Sequence, residues 1–518
     1  MTANKSRVDG AGMLGCGRST TGFPGVSMLE DMTLVTWAAL IGALGLALAF
    51  EFVNGFHDTA NAVATVIYTN TLRPTVAVVW SGTWNLAGVL LYSTGVAFGI
   101  LALLPVELIL NVGSGAGFAM VFALLLSAIV WNAGTWYMGL PASSSHTLIG
   151  AIVGVGLMNS LLSSQRQFGD GVNWGKVQDT GMSLLLSPLF GFFLAALLLL
   201  AAKKWIKRAD LYRSPEGNQP PPLWIRGLLI LTCTAVSFFH GSNDGQKGMG
   251  LIMLILIGIV PATYAVDLSA SSDTLHQIVD GSGRVAAILD TTGKTQLAYA
   301  GDPGDTLSAY LRTGKPDDQT FAAVAAANRD ITRRLTGVDS LTQLDRDGRR
   351  ALRSDFYLVS ESVNKLEKSG AFKDSDRPVL DAFRKQLTSL TNFIPTWVKV
   401  SVALALGLGT MIGWKRIVVT VGEKIGKSHL SYGQGAAAEI VAAATIGAAD
   451  GLGLPVSTTH VLSSGIAGSM AANRSGLQAD TLRNIILAWV LTLPASVFLG
   501  ALFFAAGLNL VFYMFGAK

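Results

Sequence analysis

Two polar motifs, each written twice in the same order inside apolar sequence, constrain this chain more than any other feature. Gly55-Phe56-His57-Asp58-Thr59-Ala60-Asn61-Ala62 lines up with Gly241-Ser242-Asn243-Asp244-Gly245-Gln246-Lys247-Gly248. Gly139-Leu140-Pro141-Ala142-Ser143-Ser144-Ser145-His146 lines up with Gly453-Leu454-Pro455-Val456-Ser457-Thr458-Thr459-His460. Polar groups cut off from water are costly unless they satisfy one another or a ligand. Two matched sets therefore argue for one shared polar site built from both halves of the chain, the layout expected of a transporter.

The surroundings of the motifs set the solvent. Of 518 residues, 50% are hydrophobic and only 14% charged, against about 25% charged in a soluble domain. The chain is expected to be a polytopic membrane protein with the lipid bilayer as a partner. Its net charge of +5 is no nucleic-acid footprint, because the Lys and Arg fall in short loops between apolar segments. Cys16 and Cys233 are far apart and imply neither a disulfide framework nor a metal site. No nucleophile–base set or nucleotide-binding loop lies outside the apolar spans, which argues against an enzyme.

Apolar stretches lie at 32–56, 75–104, 117–139, 140–162 and 181–202, then at 227–262, 395–414, 432–450, 453–471 and 484–512. Each half thus holds about five segments. Some depart from the roughly 20 residues of a straight span, and these coincide with the motifs, so broken or re-entrant helices are expected there. Lys203, Lys204, Lys207, Arg208, Arg213 and Arg226 in one connector, and Lys415, Arg416, Lys424 and Lys427 in one loop, mark the cytoplasmic side. Five crossings is an odd number, so the halves run in opposite directions and both termini fall outside the cytoplasm. The expected fold class is an all-α polytopic membrane protein, an inverted-topology repeat of about five segments each, plus a small helical extracytoplasmic insert.

The domain reading follows: a polar N-terminal extension at 1–31, membrane repeat 1 at 32–202, a basic connector at 203–226, the start of repeat 2 at 227–264, the insert at 265–392, and the rest of repeat 2 at 393–518. The insert holds about half of the chain's charged residues, and Val379, Leu380, Phe383 and Leu387 recur at helical spacing. A structural cap or spacer is its plain reading; gating, assembly or partner binding are the alternatives.

Asp58 and Asp244 lie deep in apolar sequence. A carboxylate at that depth must be paired, hydrated or bound to a cation. Nearby glycines would let the helix unwind and free carbonyls as further cation ligands, and Asn61 and Asn243 add neutral oxygens suited to hard cations. A structural Asp capping a half-helix is the plainer alternative. The hydroxyl motif reads as a helix start, with Pro in the first turn and Ser or Thr satisfying free N–H groups. Ser143, Ser144, Ser145, Ser457, Thr458 and Thr459 are candidate anion ligands, since two facing helix N-termini would wrap a tetrahedral oxyanion. Ordinary capping explains any one of them alone. Gln246 and Lys247 replace the Ala60 and Asn61 of the first half. Lys247 is either a charge partner of Asp244 or a point charge for phosphate. His57 stands where the second half has Asn243 and has the pKa range for proton exchange. His146 and His460 are expected to fix hairpin geometry. Glu51 and Glu439 are further intramembrane acids whose partners the sequence does not name.

These residues resemble the PiT family of inorganic phosphate transporters, particularly its bacterial low-affinity Pit members. The duplicated Gly-x-Asn-Asp-x-x-Asn-Ala type signature is matched at 55–62 and 241–248, and Gly-x-Pro-x-Ser-Thr-Thr-His at 139–146 and 453–460. The resemblance runs through 32–262 and 393–512. It implies phosphate uptake driven by a cation gradient, and for the bacterial members a proton symport that carries phosphate as a neutral complex with Mg²⁺ or another divalent metal. Asp58 and Asp244 would then meet that metal, the protein itself holding no cofactor. Sodium-coupled relatives carry Asn at the His57 position and Ala-Asn at Gln246-Lys247. These departures remove neutral oxygens and add a positive charge, so H⁺ is the expected coupling ion. Sodium coupling, or another oxyanion such as sulfate, stays open as the alternative, as does homo-oligomerisation. The expected location is the bacterial inner membrane.

Overall fold

The computed structural model describes residues 33–58, 60–91, 95–104, 106–110, 114–163, 167–170, 172–217, 219–291, 299, 301–317 and 319–515, and of Asn61, Glu107, Leu108, Met514 and Phe515 the backbone alone. The extension read at 1–31, with Cys16, lies outside the described residues. Among these residues every regular element is a helix.

In the first half, α1 (Leu34–Asp58) and α2 (Ala60–Tyr68) meet at the acidic motif, followed by α3 (Pro74–Leu91), α4 (Gly95–Leu101) and α5 (Val106–Leu110). A hairpin of α6 (Gly115–Tyr137) and α7 (Ser144–Leu161) leads into α8 (Trp174–Trp205). The second half opens with α9 (Leu223–Ile259) and α10 (Pro261–Tyr264). The charged insert contains α11 (Ser272–Thr291), α12 (Pro303–Thr313), α13 (Thr320–Leu335), α14 (Arg346–Lys368) and α15 (Arg377–Thr391). The chain then returns through α16 (Thr396–Met411), α17 (Lys415–Glu423), α18 (Tyr432–Gly451), α19 (Thr458–Ala472) and α20 (Ala479–Phe515).

Among the described residues, six helical spans are long and apolar enough to cross a bilayer: Leu34–Tyr68, Pro74–Leu91, Gly115–Tyr137, Trp174–Trp205, Leu223–Ile259 and Ala479–Tyr513. A seventh candidate joins α15 to α16 across a 73° bend; α16 alone rises about 24 Å at 1.5 Å per residue. The remaining stretches read from the sequence, α7, α18 and α19, are short and rich in Gly, Ala, Ser and Thr. They are also the most enclosed, with nearly every residue of α7 and α19 buried. Protein rather than lipid surrounds them, so neither length nor high hydropathy is demanded of them. The outer helices differ: α8 turns Leu189, Phe193 and Leu197 outward, and α20 does the same with Leu487, Leu491, Phe498 and Leu502.

Packing crosses the two halves. α7 lies along α20 while α19 lies along α8, and α1 lies along α16 while α9 lies along α3. The apolar core divides into two clusters on either side of the motifs. One takes Ala43, Ala47 and Phe50 of α1, Leu148 and Ile152 of α7, and Ile252 and Ile255 of α9. The other takes Ala60 and Val63 of α2, Leu229 and Val236 of α9, Ala442 and Ile446 of α18, and Val461 and Ile466 of α19. Along the chain, α1 runs from the first cluster toward the second, and α9 runs from the second toward the first. The half-helices α7 and α19 start between the clusters and depart into opposite ones.

One expectation is corrected here. Both acidic motifs were expected to interrupt their helices; at the first, Thr59, between α1 and α2, lies outside the described residues. α9 instead continues through 241–248 without a break. Its Gly241 serves close approach rather than unwinding, for a Cβ there would stand 2.1 Å from the carbonyl oxygen of Asn85 on α3. With its i to i−4 bonds intact, this stretch of α9 frees no carbonyls as cation ligands.

The insert has a core of its own, with Leu275 and Ile278 of α11, Phe321 and Val324 of α13, Leu352 and Phe356 of α14, and Leu380, Phe383 and Leu387 of α15. Burial pushes the Asp355 carboxyl up to about 7, with Arg334 (3.5 Å away) opposing the shift. A raised carboxyl pKa means that the folded insert holds a proton the unfolded chain has already lost. Its stabilising contribution is therefore complete below about pH 4 and disappears as pH rises through about 7. We expect α13 and α14 amides of the detergent-solubilised protein to exchange faster at pH 8 than at pH 5, after correction for intrinsic rates. Asp355→Asn should flatten that difference.

Candidate functional site

The hydroxyl motif builds the same turn twice. After α6 and α18, Gly139 and Gly453 adopt left-handed φ of +70° and +67°, a conformation glycine takes without steric cost. Leu140 N–H donates to the Thr135 carbonyl and Leu454 N–H to the Ala449 carbonyl, each at 2.9 Å. Ser143 and Ser457 then cap α7 and α19, their Oγ atoms accepting from His146 N–H and His460 N–H at 3.2 Å. Pro141 and Pro455, expected in the first helical turn, lie two residues ahead of these caps. The serine side chains take the capping position, which leaves the prolines to stiffen the approach.

The two helix starts abut. The His146 and His460 rings are 4.6 Å apart, His460 stacks on Trp489 at 4.0 Å, and Ser145 Oγ donates to the Val456 carbonyl at 2.7 Å. Two helix N-termini thus face one buried region, each adding unsatisfied N–H groups and partial positive charge.

Both carboxylates lie in that region. Ser144 Oγ is 3.3 Å from Asp58 Oδ2 and 3.3 Å from Asp244 Oδ2, so one hydroxyl bridges the acids of both halves. Thr459 Oγ1 donates to Asp58 Oδ1 at 2.5 Å. Lys247 Nζ is 2.9 Å from Asp244 Oδ1 and donates to Ser144 Oγ at 3.1 Å. His57 Nδ1 is 3.1 Å from Asp58 Oδ1, and its Nε2 is 3.1 Å from Thr135 Oγ1. All of these side chains are buried.

His240, which the sequence reading passed over, completes the cluster. Its Nε2 is 3.5 Å from Asp244 Oδ2 and 3.9 Å from Asp58 Oδ2. A hydrogen-bond chain sets its tautomer. Thr410 Oγ1 donates to the Leu406 carbonyl and accepts from Asn85 Nδ2, which leaves Asn85 Oδ1 as the acceptor for His240 Nδ1 at 3.0 Å. Nδ1 therefore carries a proton in either charge state, and Nε2 is the ring nitrogen turned toward the carboxylates. Asp58, His240 and Asp244 each offer a ligand atom, all within 4.8 Å of one another. Two carboxylate oxygens and one imidazole nitrogen suit a divalent cation. His240 was legible: it precedes Asp244 by four residues and so shares its helix face.

Other candidates fall elsewhere. Gln246 is turned from the hydroxyl motif; its Oε1 accepts from Val96 N–H at 2.7 Å and its Nε2 donates to Asp450 Oδ1 at 2.5 Å. That arrangement caps α4 and leaves no group for an anion. Asp450, also hydrogen-bonded by Ser242, was missed because Asp beside Gly451 and Gly453 reads as an ordinary helix end. Asn243 donates to the Leu454 carbonyl at 3.4 Å, with its Oδ1 unbonded. Thr458 is buried at the start of α19, and the Asn61 side chain is outside the described residues. Glu439 lies apart from the cluster, held by Thr65 of α2 and Thr232 of α9.

Residues 54–500 match the family model described as the phosphate transporter family. The chain is 43% identical over 490 residues to the low-affinity inorganic phosphate transporter PitA of Escherichia coli strain K12, covering 91% of this chain and 97% of PitA. It is 42% identical over 500 residues to PitB of the same strain, covering 93% and 99%. A probable low-affinity inorganic phosphate transporter of Bacillus subtilis is 29% identical over 90% of this chain and 96% of its own length. A solved structure described as a sodium-dependent phosphate transporter aligns with a TM-score of 0.48 at 20% identity, covering 90% of this chain and 98% of that one. By the span of the family match and the identity to its members, the chain belongs to the phosphate transporter family, a family of carriers and not of enzymes.

Proposed function

We propose that this chain takes up inorganic phosphate across the bacterial inner membrane by proton-driven symport, the anion entering as a complex with a divalent cation. The observation that carries the choice of coupling ion is Lys247. Its ammonium is fully buried, 2.9 Å from Asp244 and hydrogen-bonded to Ser144. A resident cation thus stands against the carboxylate where a sodium ion would otherwise find its charge partner, and like charges repel strongly at low dielectric. The rest of the cluster fits the substrate. The α7 and α19 starts and their hydroxyls suit phosphate, while Asp58, His240 and Asp244 suit the accompanying metal.

The opposed courses of α1 and α9, and of α7 and α19, support an inverted repeat that rocks about this midplane cluster. Both termini and the insert then lie outside the cytoplasm. The test is radiolabelled phosphate uptake into proteoliposomes with ΔpH, Na⁺ and Mg²⁺ varied separately. The expected result is uptake that follows ΔpH, requires the divalent cation and ignores Na⁺; uptake that follows Na⁺ alone would overturn the proton-driven reading. Sulfate competing as well as phosphate would overturn the choice of anion. His57 is the imidazole joining Asp58 to Thr135, so His57→Asn should displace the pH dependence of uptake, and an unchanged profile would remove His57 from proton coupling.

A further inference from the structure

Glu51 is a fully buried acid outside the Asp58–His240–Asp244 cluster. It lies on α1 two turns before Asp58, with no exposed surface. No hydrogen bond of proper length and angle reaches either carboxylate oxygen, and both ends of the Asn54 amide, one turn along the same face, are likewise unbonded. The carboxylate is pressed against α9, where a Cβ on Gly248 would stand 2.3 Å from Glu51 Cγ and 2.5 Å from its Oε1. The side chain fits only because residue 248 is glycine. The neighbour of that glycine is Lys247, and both Lys247 and Asp244 lie within Coulombic reach of Glu51. One ammonium thus lies on Asp244 at 2.9 Å and within Coulombic reach of a second buried carboxylate, Glu51.

From this arrangement we propose that Glu51 is the proton-carrying site of the transport cycle, and that it controls which carboxylate Lys247 serves. The Asn54 amide and the Gly248 N–H approach the carboxylate without forming a hydrogen bond of full geometry, and an ionised carboxylate so weakly solvated is strongly disfavoured at bilayer depth. With Glu51 protonated, Lys247 stays on Asp244 and Ser144 and completes the substrate cluster. When Glu51 releases its proton, it becomes the stronger attraction; Lys247 is drawn across and its hold on the substrate cluster loosens. The proton leaves as H⁺ from one carboxylic acid and returns to the same carboxylate, so the step balances with no other reactant.

The groups facing Glu51 are few. α9 brings His240, Asp244 and Lys247, and α1 itself adds His57 and Asp58 further along. α7 places His146 within Coulombic reach of Lys247. The helices packed on α1, α6 and α16, carry only Tyr137 and Lys399 near their ends and α2 only Tyr68. Arg226 and Lys399 lie near the far ends of α9 and α16, so among the described residues of these elements Lys247 is the lysine or arginine within Coulombic reach of Glu51.

The inference rests on the symporter reading, and two assays separate them. Equilibrium exchange of internal for external phosphate, at equal pH and with Mg²⁺ present, tests the wild-type protein as a phosphate carrier whatever drives it. Net accumulation under an imposed ΔpH, with proton entry followed by an internal pH dye, tests the coupling. Gln mimics the protonated acid, so Glu51→Gln should keep exchange within about threefold of wild type. The same variant should lose ΔpH-driven accumulation by at least about tenfold, because its return step cannot shed a proton. Wild-type ΔpH-driven accumulation in Glu51→Gln would overturn the proposal, and so would equal loss of both activities in folded protein. Should Glu51→Gln fail to fold, Glu51→Asp decides: it keeps a titratable group one methylene further from Lys247. It should couple with a displaced pH midpoint, and a midpoint identical to wild type would overturn the proposal. Absence of exchange in the wild type itself would instead sink the phosphate reading.

Discussion

Asp58→Asn and Asp244→Asn should each lower phosphate uptake by at least about 100-fold, close to 3 kcal/mol of lost interaction, while the protein still inserts in the membrane. Both substitutions keep shape and remove charge, so they ask whether the carboxylates bind cargo or merely cap helices. The structure also separates them from each other. Asp244 faces the Lys247 ammonium at 2.9 Å, so its removal strands a buried positive charge, a defect that costs about 3–5 kcal/mol in comparable settings. Asp58 is held by the Thr459 hydroxyl, by Ser144 and by imidazoles, all groups that tolerate a neutral amide. Thermal unfolding in detergent should therefore show a clear loss for Asp244→Asn and a smaller one for Asp58→Asn. Normal uptake in either variant would dismantle the shared site.

Lys247→Asn should have the second largest effect. It returns to the second half the residue type that the first half carries at Asn61, and replaces a resident ammonium by a neutral oxygen beside Asp244. Uptake under ΔpH should drop by at least about 30-fold, roughly 2 kcal/mol. What activity remains should rise with external Na⁺, since a carboxylate and an amide oxygen make a hard-cation site. Counting initial rates with and without Na⁺ in proteoliposomes reads both effects. Full ΔpH-driven uptake in this variant would show that the ammonium does not hold the cation position.

The hairpin turns were legible residue by residue. Gly, Pro and a run of hydroxyls determine their backbone locally, and the left-handed Gly139 and Gly453 with the caps at Ser143 and Ser457 follow the letters. What a local reading could not see was contact across the chain. The glycines of the second acidic motif looked like helix breakers because Gly weakens an isolated helix. In the folded protein Gly241 instead admits Asn85 of α3, and α9 stays whole because burial outweighs propensity. Gln246 looked like a ligand since it sits beside Lys247, yet consecutive helical residues point about 100° apart, and its amide reaches α4 instead. His240 failed for the opposite reason. It precedes the motif proper, but a period of four puts it on the Asp244 face, and attention to the repeat alone concealed it. The stretches at 140–162 and 453–471 were legible as segments, and α7 and α19 are polar for the sake of the site and small for the sake of packing.

The crossed packing of the halves bears on how the chain is made. α7 leaves the ribosome early, with three serines and a histidine at its start, and the helix that sheathes it, α20, is synthesised only after α19. α8, made in the first half, waits for α19. Neither half can shield its own polar turn while the other is missing, so a nascent or truncated first half would present hydroxyls and a carboxylate to lipid. The mature arrangement is therefore a late event in biogenesis, reached only when α20 threads in beside the first hairpin, and a chain cut short there would be a natural target for membrane quality control.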